Sequence, residues 1–352
     1  MFAATRIPGV FWYAQRKPGA LSENSYLFVT GAGNVLVDPL PFDDATYAEL
    51  ERLGGIERVV VLTADRQTAA REIAERCSVR LISAPTHRET IFEGAKAIAL
   101  LDQRRDGEFA ISIPAQRAVV AGGSVVGSPA GALSLPEESE CADARKAALG
   151  LRRILRENPK ALLVATGEPI LSGAYDLLYH ALYDRAGAEI HRINLEELEF
   201  RDERAEHAEQ PDRYHGFDAE VGFVIGAREL GYRVSTLPPG QYFCPLHGHA
   251  REEEMFFVLA GEPSIRTLSG TLRCRKGDFI ALPVGESGTH QLLNESAAPA
   301  TVLLLGRTEE FEACYYPDSD KLLVDMEMPL RGDRRSIMVR ATPELDYFDG
   351  EE

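Results

Sequence analysis

Residues 238–262 read PPGQYFCPLHGHAREEEMFFVLAGE, and this stretch decides the fold of the C-terminal part of the chain. His247 and His249 are two apart, so on a strand both imidazoles point to one face. The chain then turns through Ala250–Glu253 and re-enters an apolar strand at Glu254, whose carboxylate can complete the set. Downstream, KGDFIALPVGESGTHQLLNES (276–296) supplies another strand, a turn holding Pro283 and Gly285, and then His290. Neutral imidazoles with one carboxylate suit a divalent first-row metal such as Fe, Mn, Ni, Cu or Zn. Four protein donors leave exchangeable positions on a six-coordinate ion, and open positions are what catalysis needs. A lone His on an apolar strand is more often a satisfied core group; four residues in register argue against that reading here.

The neighbours of these four have blander readings. Glu252 and Glu253 read as solvated turn charges, and Asn294 as a turn cap. Cys244 could line a pocket, but as a half-buried thiol it reads as inert. Phe256 and Val258 share the face of Glu254 by the period of two, as pocket wall or as core. The surrounding pattern is all β: FVIGARE (223–229), RVSTLPPG (233–240), EMFFVLAG (254–261), SIRTLSG (264–270), TLRCRKGD (271–278), FIALPVG (279–285), HQLLNES (290–296) and TVLLLGR (301–307) are short runs punctuated by Gly, Pro, Asn and Ser. That spacing predicts a sandwich or barrel.

This part of the chain resembles the cupin superfamily. The first cupin motif is met by Gly240, His247, His249, Glu254 and Gly261, with one extra residue between Gly240 and His247. The second is met by Gly277, Pro283, Gly285, His290 and Asn294, with a longer gap before His290. The resemblance implies a double-stranded β-helix, the jelly-roll barrel, holding one divalent transition metal on His247, His249, Glu254 and His290. CYYPDSDKLLV (314–324) looks like the tail of a poorly characterised bacterial cupin group. Within cupins this ligand set is shared by dioxygenases, decarboxylases and some isomerases. The oxygenase reading is favoured, with Glu254 as a possible acid–base residue. A non-catalytic binding or regulatory module is the alternative.

Upstream, the character changes. SYLFVT (25–30), NVLVD (34–38), RVVVLT (58–63), VRLISA (79–84), FAISI (109–113), AVVAGG (118–123) and ALLVAT (161–166) read as strands. Helical periodicity covers 43–53, 66–76, 140–157 and 171–186, with Asp43 or Asp44 as an N-cap and Gly187 after the last helix. His87 and His180 read as helical surface or packing residues. Alternating strands and helices predict an α/β layered domain. The order of landmarks, ENSYLFVTGAGNVLVDP (23–39), RVVVLTADRQTAA (58–70), AVVAGGSVVGSP (118–129) and LLVATGEPI (162–170), resembles the metallo-β-lactamase fold, an αββα sandwich. Active members carry Thr-His-x-His-x-Asp-His at the second landmark; here Thr63, Ala64, Asp65, Arg66, Gln67, Thr68 and Ala69 stand there. Gly122–Gly123 replaces the usual Gly-Asp, and Ala165, Thr166, Gly167 the usual Gly-His-Gly. Asp38 survives, yet it reads equally as a turn or cap residue. Asp65 and Glu168, without imidazoles, make a weak case for a metal. The resemblance thus implies a domain that kept its fold and lost its hydrolytic site; residual hydrolase activity is the least favoured function.

The full expectation is α/β plus all-β: residues 1–200 degenerate metallo-β-lactamase-like, 201–213 a charged linker (EELEFRDERAEHAEQPDR spans the change), and 214–352 cupin. The formal net charge of −17 argues against nucleic acid or an anionic membrane as partner, since both need a basic footprint. The N-terminus lacks the pattern of a signal peptide, and no apolar run is long enough to span a membrane. Five scattered cysteines without a CxxC pair fit free thiols in a reducing cytoplasm. The cupin resemblance implies a homodimer, since cupins commonly pair through exposed strand edges, and the partner otherwise expected is a small molecule.

Overall fold

A computed structural model describes residues 1–103, 108–202, 212–327 and 334–341. The chain divides into two compact units, Met1–Arg192 and Ile193–Glu352. Much of the expected linker, 203–211, lies outside the described residues. Its first residues, Arg201–Asp202, are an edge strand paired with Phe217–Glu220 of the second unit.

The first unit is built on one mixed sheet of eleven strands. Nine of them run Arg80–Ile82, Arg58–Val60, Val35–Val37, Glu23–Phe28, Ala161–Gly167, Ala118–Gly127, Phe109–Ile113, Ala95–Ala99, Thr90–Phe92, and the other two branch from Glu23–Phe28, with Val10–Gln15 paired to it and Ala3–Ala4 paired to Val10–Gln15. The halves join through a single pair, Thr166 with Glu23. Alternation then sorts the side chains. Tyr26, Phe28, Val35, Val37 and Val60 pack with Ile111, Val120 and Leu163 of the other half. Leu27, Leu36 and Val59 face the opposite way, onto Leu50, Ala70 and Ile73 of the helices Asp44–Arg52 and Gln67–Cys77. That is a sheet folded into two layers with helices outside, the αββα arrangement. Asp43 is the N-cap of the first helix, accepting from Thr46 N at 2.8 Å.

Three expectations change in these units. The helix expected over 140–157 is two pieces, Ala144–Gly150 and Arg152–Leu155, starting at the Asp143 cap. His87 is in a turn, not a helix; its Nδ1 accepts from Ala99 N, and Ala97 N donates to Glu89 O, so this segment belongs to a hairpin-like return. FVIGARE is not a strand: Phe223–Ile225 is a 3-10 turn, because the Glu220 carboxylate accepts from Phe223 N and Gly226 takes the left-handed conformation. His180 is on a helix as expected, Ala174–Ala186, and is exposed.

Among its described residues, the second unit has strands and short 3-10 turns as its only regular elements. A six-stranded antiparallel sheet runs Arg201–Asp202, Phe217–Glu220, Leu230–Leu237, Ala300–Arg307, Glu254–Ala260, Phe279–Leu282. Gly270–Arg273, Ser264–Thr267 and His290–Leu293 form a second sheet. Gly248–His249, Phe311–Tyr316, Lys321–Glu327 and Arg334–Arg340 form a third, which the alternation upstream did not announce. Between them Leu237, Phe256, Val258, Ile265, Ile280, Leu292, Val302 and Leu304 make one core.

Gly261 ends the strand that carries Glu254. Its φ is +79°, and a Cβ there would lie 2.6 Å from Pro299 O and 2.7 Å from Ala300 Cα. Gly261→Ala should therefore lower stability by about 1–3 kcal/mol, read as a drop in the thermal midpoint with the far-ultraviolet spectrum unchanged.

Candidate metal centre

Each half of the candidate centre is positioned by backbone pairing. His247 and His290 form an isolated antiparallel bridge: His247 N donates to His290 O at 3.1 Å and His290 N to His247 O at 2.8 Å. One residue on, Gly248 passes so close to Thr289 that a Cβ would stand 2.6 Å from its Oγ1. His249 then pairs with Cys314 on a different strand. Glu254 opens the strand Glu254–Ala260, opposite Gly306.

These elements bring all four expected residues together. Ring centroids lie 4.8 Å apart for His247 and His249, 4.8 Å for His247 and His290, and 6.1 Å for His249 and His290. Glu254 Oε2 stands 3.4 Å from His249 Nε2 and 3.2 Å from His290 Nε2. All three atoms are buried, and they approach one another without hydrogen-bonding geometry. Buried polar atoms normally have partners. Donors about 2.0–2.2 Å from one ion stand roughly 3–3.6 Å apart, so these spacings fit a shared cation.

The far side of each ring sets its tautomer. His247 Nδ1 lies 3.0 Å from Pro245 O, and His290 Nδ1 2.8 Å from Gly288 O. A carbonyl can only accept, so both rings carry the proton on Nδ1 and turn the Nε2 lone pair to the centre. Burial and the two neighbouring rings lower His247 to about 4. Burial opposes protonation of His249, but Cys314 and Glu254 outweigh it and raise that ring to about 10. Burial likewise opposes the charge on Glu254, yet His249 and His290 hold its carboxyl well below the usual range. A cation would take the place of the proton on His249.

The bland expectations divide. Asn294 is a turn cap: its Nδ2 donates to Leu237 O and Ala298 O, and its Oδ1 accepts from Ser296. Phe256 is core and wall at once, buried with its edge to His290 at 5.2 Å; Val258 is core. Cys244 sits 3.6 Å from His247 Nδ1, and burial pushes its thiol up, away from reactivity. Glu253 is exposed, but Glu252 is not a solvated turn charge. It is half-buried, accepts from Glu309 N at 3.0 Å, and burial raises its carboxyl.

Sequence reasoning missed the strand Phe311–Tyr316. Its alternate residues Glu312, Cys314 and Tyr316 turn toward the centre. Tyr316 stacks on His247 at 5.7 Å. Cys314 Sγ is 3.4 Å and Glu312 Oε1 3.6 Å from His249 Nδ1. Buried Glu312 also accepts from Ala250 N (2.8 Å), Arg251 N (3.1 Å) and Glu252 N (3.0 Å), the turn that joins His249 to Glu254. The signal was present as the period of two in EACYY, but a charged residue followed by a thiol does not announce itself as a wall.

In the first unit, the surviving carboxylate is fully engaged. Asp38, buried and at φ 53°, accepts from Leu62 N (3.1 Å), Thr63 N (2.9 Å) and Thr63 Oγ1 (2.5 Å). Burial raises its carboxyl, against those hydrogen bonds and Arg66. Arg66 is itself buried 3.6 Å from Glu23, Glu168 pairs with Arg16, and Asp65 is exposed. Among the described residues, the groups of three donors close enough for a metal lie in the second unit only.

The comparisons agree with both halves. Residues 6–180 match the family model described as Metallo-beta-lactamase superfamily, and residues 233–306 the one described as Cupin domain. Among solved structures, the chain is similar to a sugar phosphate isomerase from a cupin superfamily from Silicibacter pomeroyi DSS-3, at 24% identity over 42% of this chain and 92% of that one, with a TM-score of 0.36. It is also similar to a metallo beta lactamase from Erythrobacter litoralis, at 13% identity over 53% of this chain and 91% of that one, with a TM-score of 0.43. No curated protein matches.

Glu312→Ala removes the carboxylate that faces His249 and ties the turn behind it. Affinity for a divalent metal should fall roughly 10- to 100-fold, measured by competition with a chromogenic chelator.

Proposed function

We propose that this chain, a metallo-β-lactamase superfamily domain joined to a cupin domain, is a metal-dependent enzyme of the oxygenase type. It would act on a small organic molecule at His247, His249, Glu254 and His290. One observation carries the reading: His249 Nε2, Glu254 Oε2 and His290 Nε2 are buried, convergent and without hydrogen-bond partners. Leaving such a group unsatisfied costs about 1–3 kcal/mol, and a shared cation removes that cost. A redox-active divalent ion with open positions supplies a site for substrate and O₂ together. The chain's own residues do the rest. Pro245 O and Gly288 O hold two imidazoles in the ligating tautomer. Phe256 and Tyr316 cover His290 and His247. Glu254 would serve as acid or base toward the substrate.

Metal analysis of tag-free protein should find iron or manganese, lost in His247→Ala and His290→Ala. Oxygen uptake should then appear for a member of a phenol, diketone and thiol panel. Metal-replete protein that consumes no oxygen across it would sink the oxygenase reading. The second reading, a non-catalytic binding or regulatory cupin, draws support from the first unit, where Ala64, Arg66, Thr68, Ala69 and Gly123 occupy the ligand positions of the fold. A ligand recovered unchanged after incubation with metal and air would favour it.

We also infer a homodimer, located in the cytoplasm. The edge strand Gly270–Arg273 is exposed along its length, with Leu272 54% accessible, and open edges invite pairing. Light scattering behind size exclusion should give twice the chain mass; a single 38.7-kDa species overturns the inference.

A further inference from the structure

The inner face of the six-stranded sheet can be followed through its register. Residues directly opposite in an antiparallel pair carry their side chains to the same face. Glu254 is opposite Gly306, and Gly306 is opposite Gly231. Two residues along, Phe256, Leu304 and Arg233 stand in line. Phe256 and Leu304 belong to the core, so this is the inner face. Arg233 is therefore a cation on an apolar wall, one step from the glycines that flank Glu254.

The two glycines do different things. A Cβ at Gly306 would lie 3.2 Å from Glu254 Cγ, so the candidate ligand itself occupies that space. Gly231 is exposed, its backbone is ordinary, and a Cβ there would meet only Gly306 O and Thr308 Oγ1, both at 3.7 Å. Nothing in the conformation requires glycine at 231. Its lack of a side chain leaves open space on the inner face, about two strand widths from Glu254.

Arg233 overlooks that space. Its NH1 donates to Asp218 Oδ2 at 3.2 Å, and its side chain is 48% exposed. Asp218 is buried and also accepts from Ser235 Oγ at 2.5 Å, which anchors one edge of the guanidinium. A planar fork of five donors keeps others for a second oxyanion. A half-exposed pair of this kind adds little stability.

We propose that Arg233 is the anion anchor of this site, and that the small molecule admitted over Gly231 toward Glu254 carries an oxyanion, a carboxylate or a phosphate. This rests on the reading of the four-residue centre as a small-molecule site and adds the charge of what it accepts.

The test is calorimetric titration of the metal-loaded full chain with benzoate, inorganic phosphate and uncharged benzamide. The wild-type protein should bind one or both anions and not benzamide; benzoate alone indicates a carboxylate, phosphate alone a phosphate. Arg233→Met should weaken that binding roughly 10- to 100-fold at unchanged metal content, and Arg233→Lys should retain part of it. Because Met leaves Asp218 buried without its cation, the pair Arg233→Met with Asp218→Asn repeats the measurement with both groups neutral. Gly231→Leu should block the anions and leave metal uptake intact. Wild-type protein that binds neither anion, or variants that bind them as the wild type does, overturn the proposal. Protein that takes up no metal yet binds anions through Arg233 overturns the metal reading and upholds this one.

Discussion

The reciprocal backbone bridge between His247 and His290 is the constraint on which the arrangement of the second unit's candidate site depends. It joins two strands far apart in the chain and sets both imidazoles on one side. Once that register is set, Gly248 must pass Thr289, His249 must pair with Cys314, and the turn after it must deliver Glu254 to the next sheet. A one-residue slip would send both histidines of the His-x-His pair to the other face. The site is thus a consequence of β pairing, with side-chain chemistry laid on it.

The two units handle a buried carboxylate in opposite ways. Asp38 spends its oxygens on two backbone N–H groups and the Thr63 hydroxyl, so it needs no cation. Glu254 keeps an oxygen without a hydrogen bond, facing two ring nitrogens in the same condition. The distinction separates a carboxylate that ties a loop from one with an oxygen left open to a further partner. It also explains how the first unit can keep the Asp38 position while the imidazoles around it are replaced by Ala64, Arg66 and Ala69. Glu312 belongs with Asp38 in this respect. It holds the Ala250–Glu252 turn by its backbone N–H groups, and from the same position it faces His249 Nδ1.

Much of this was legible in the residues. Spacing alone placed His247 and His249 on one face, Glu254 at a strand start and His290 after a turn. The period of two separated the apolar faces, and Asp43 and Gly187 marked helix ends. What failed had local causes. FVIGARE is apolar enough for a strand, but Glu220 and Gly226 bend it into a turn. Glu252 looks like a surface charge in EEE, and only the approach of residues 309–312 buries it.

The sequence by itself determined the fold of each half, which residues are candidate donors in the second, and that imidazoles are missing from the corresponding landmarks of the first, because residue type and short-range period are local properties. Tertiary structure alone decided that the four side chains converge, and that His249, Glu254 and His290 do so with unpartnered atoms. It also decided that Glu312, Cys314 and Tyr316 close in behind them, and that Arg233 shares the face of Glu254. Those facts depend on which strands pair and in what register, and pairing between distant segments is settled by the packing of the whole barrel.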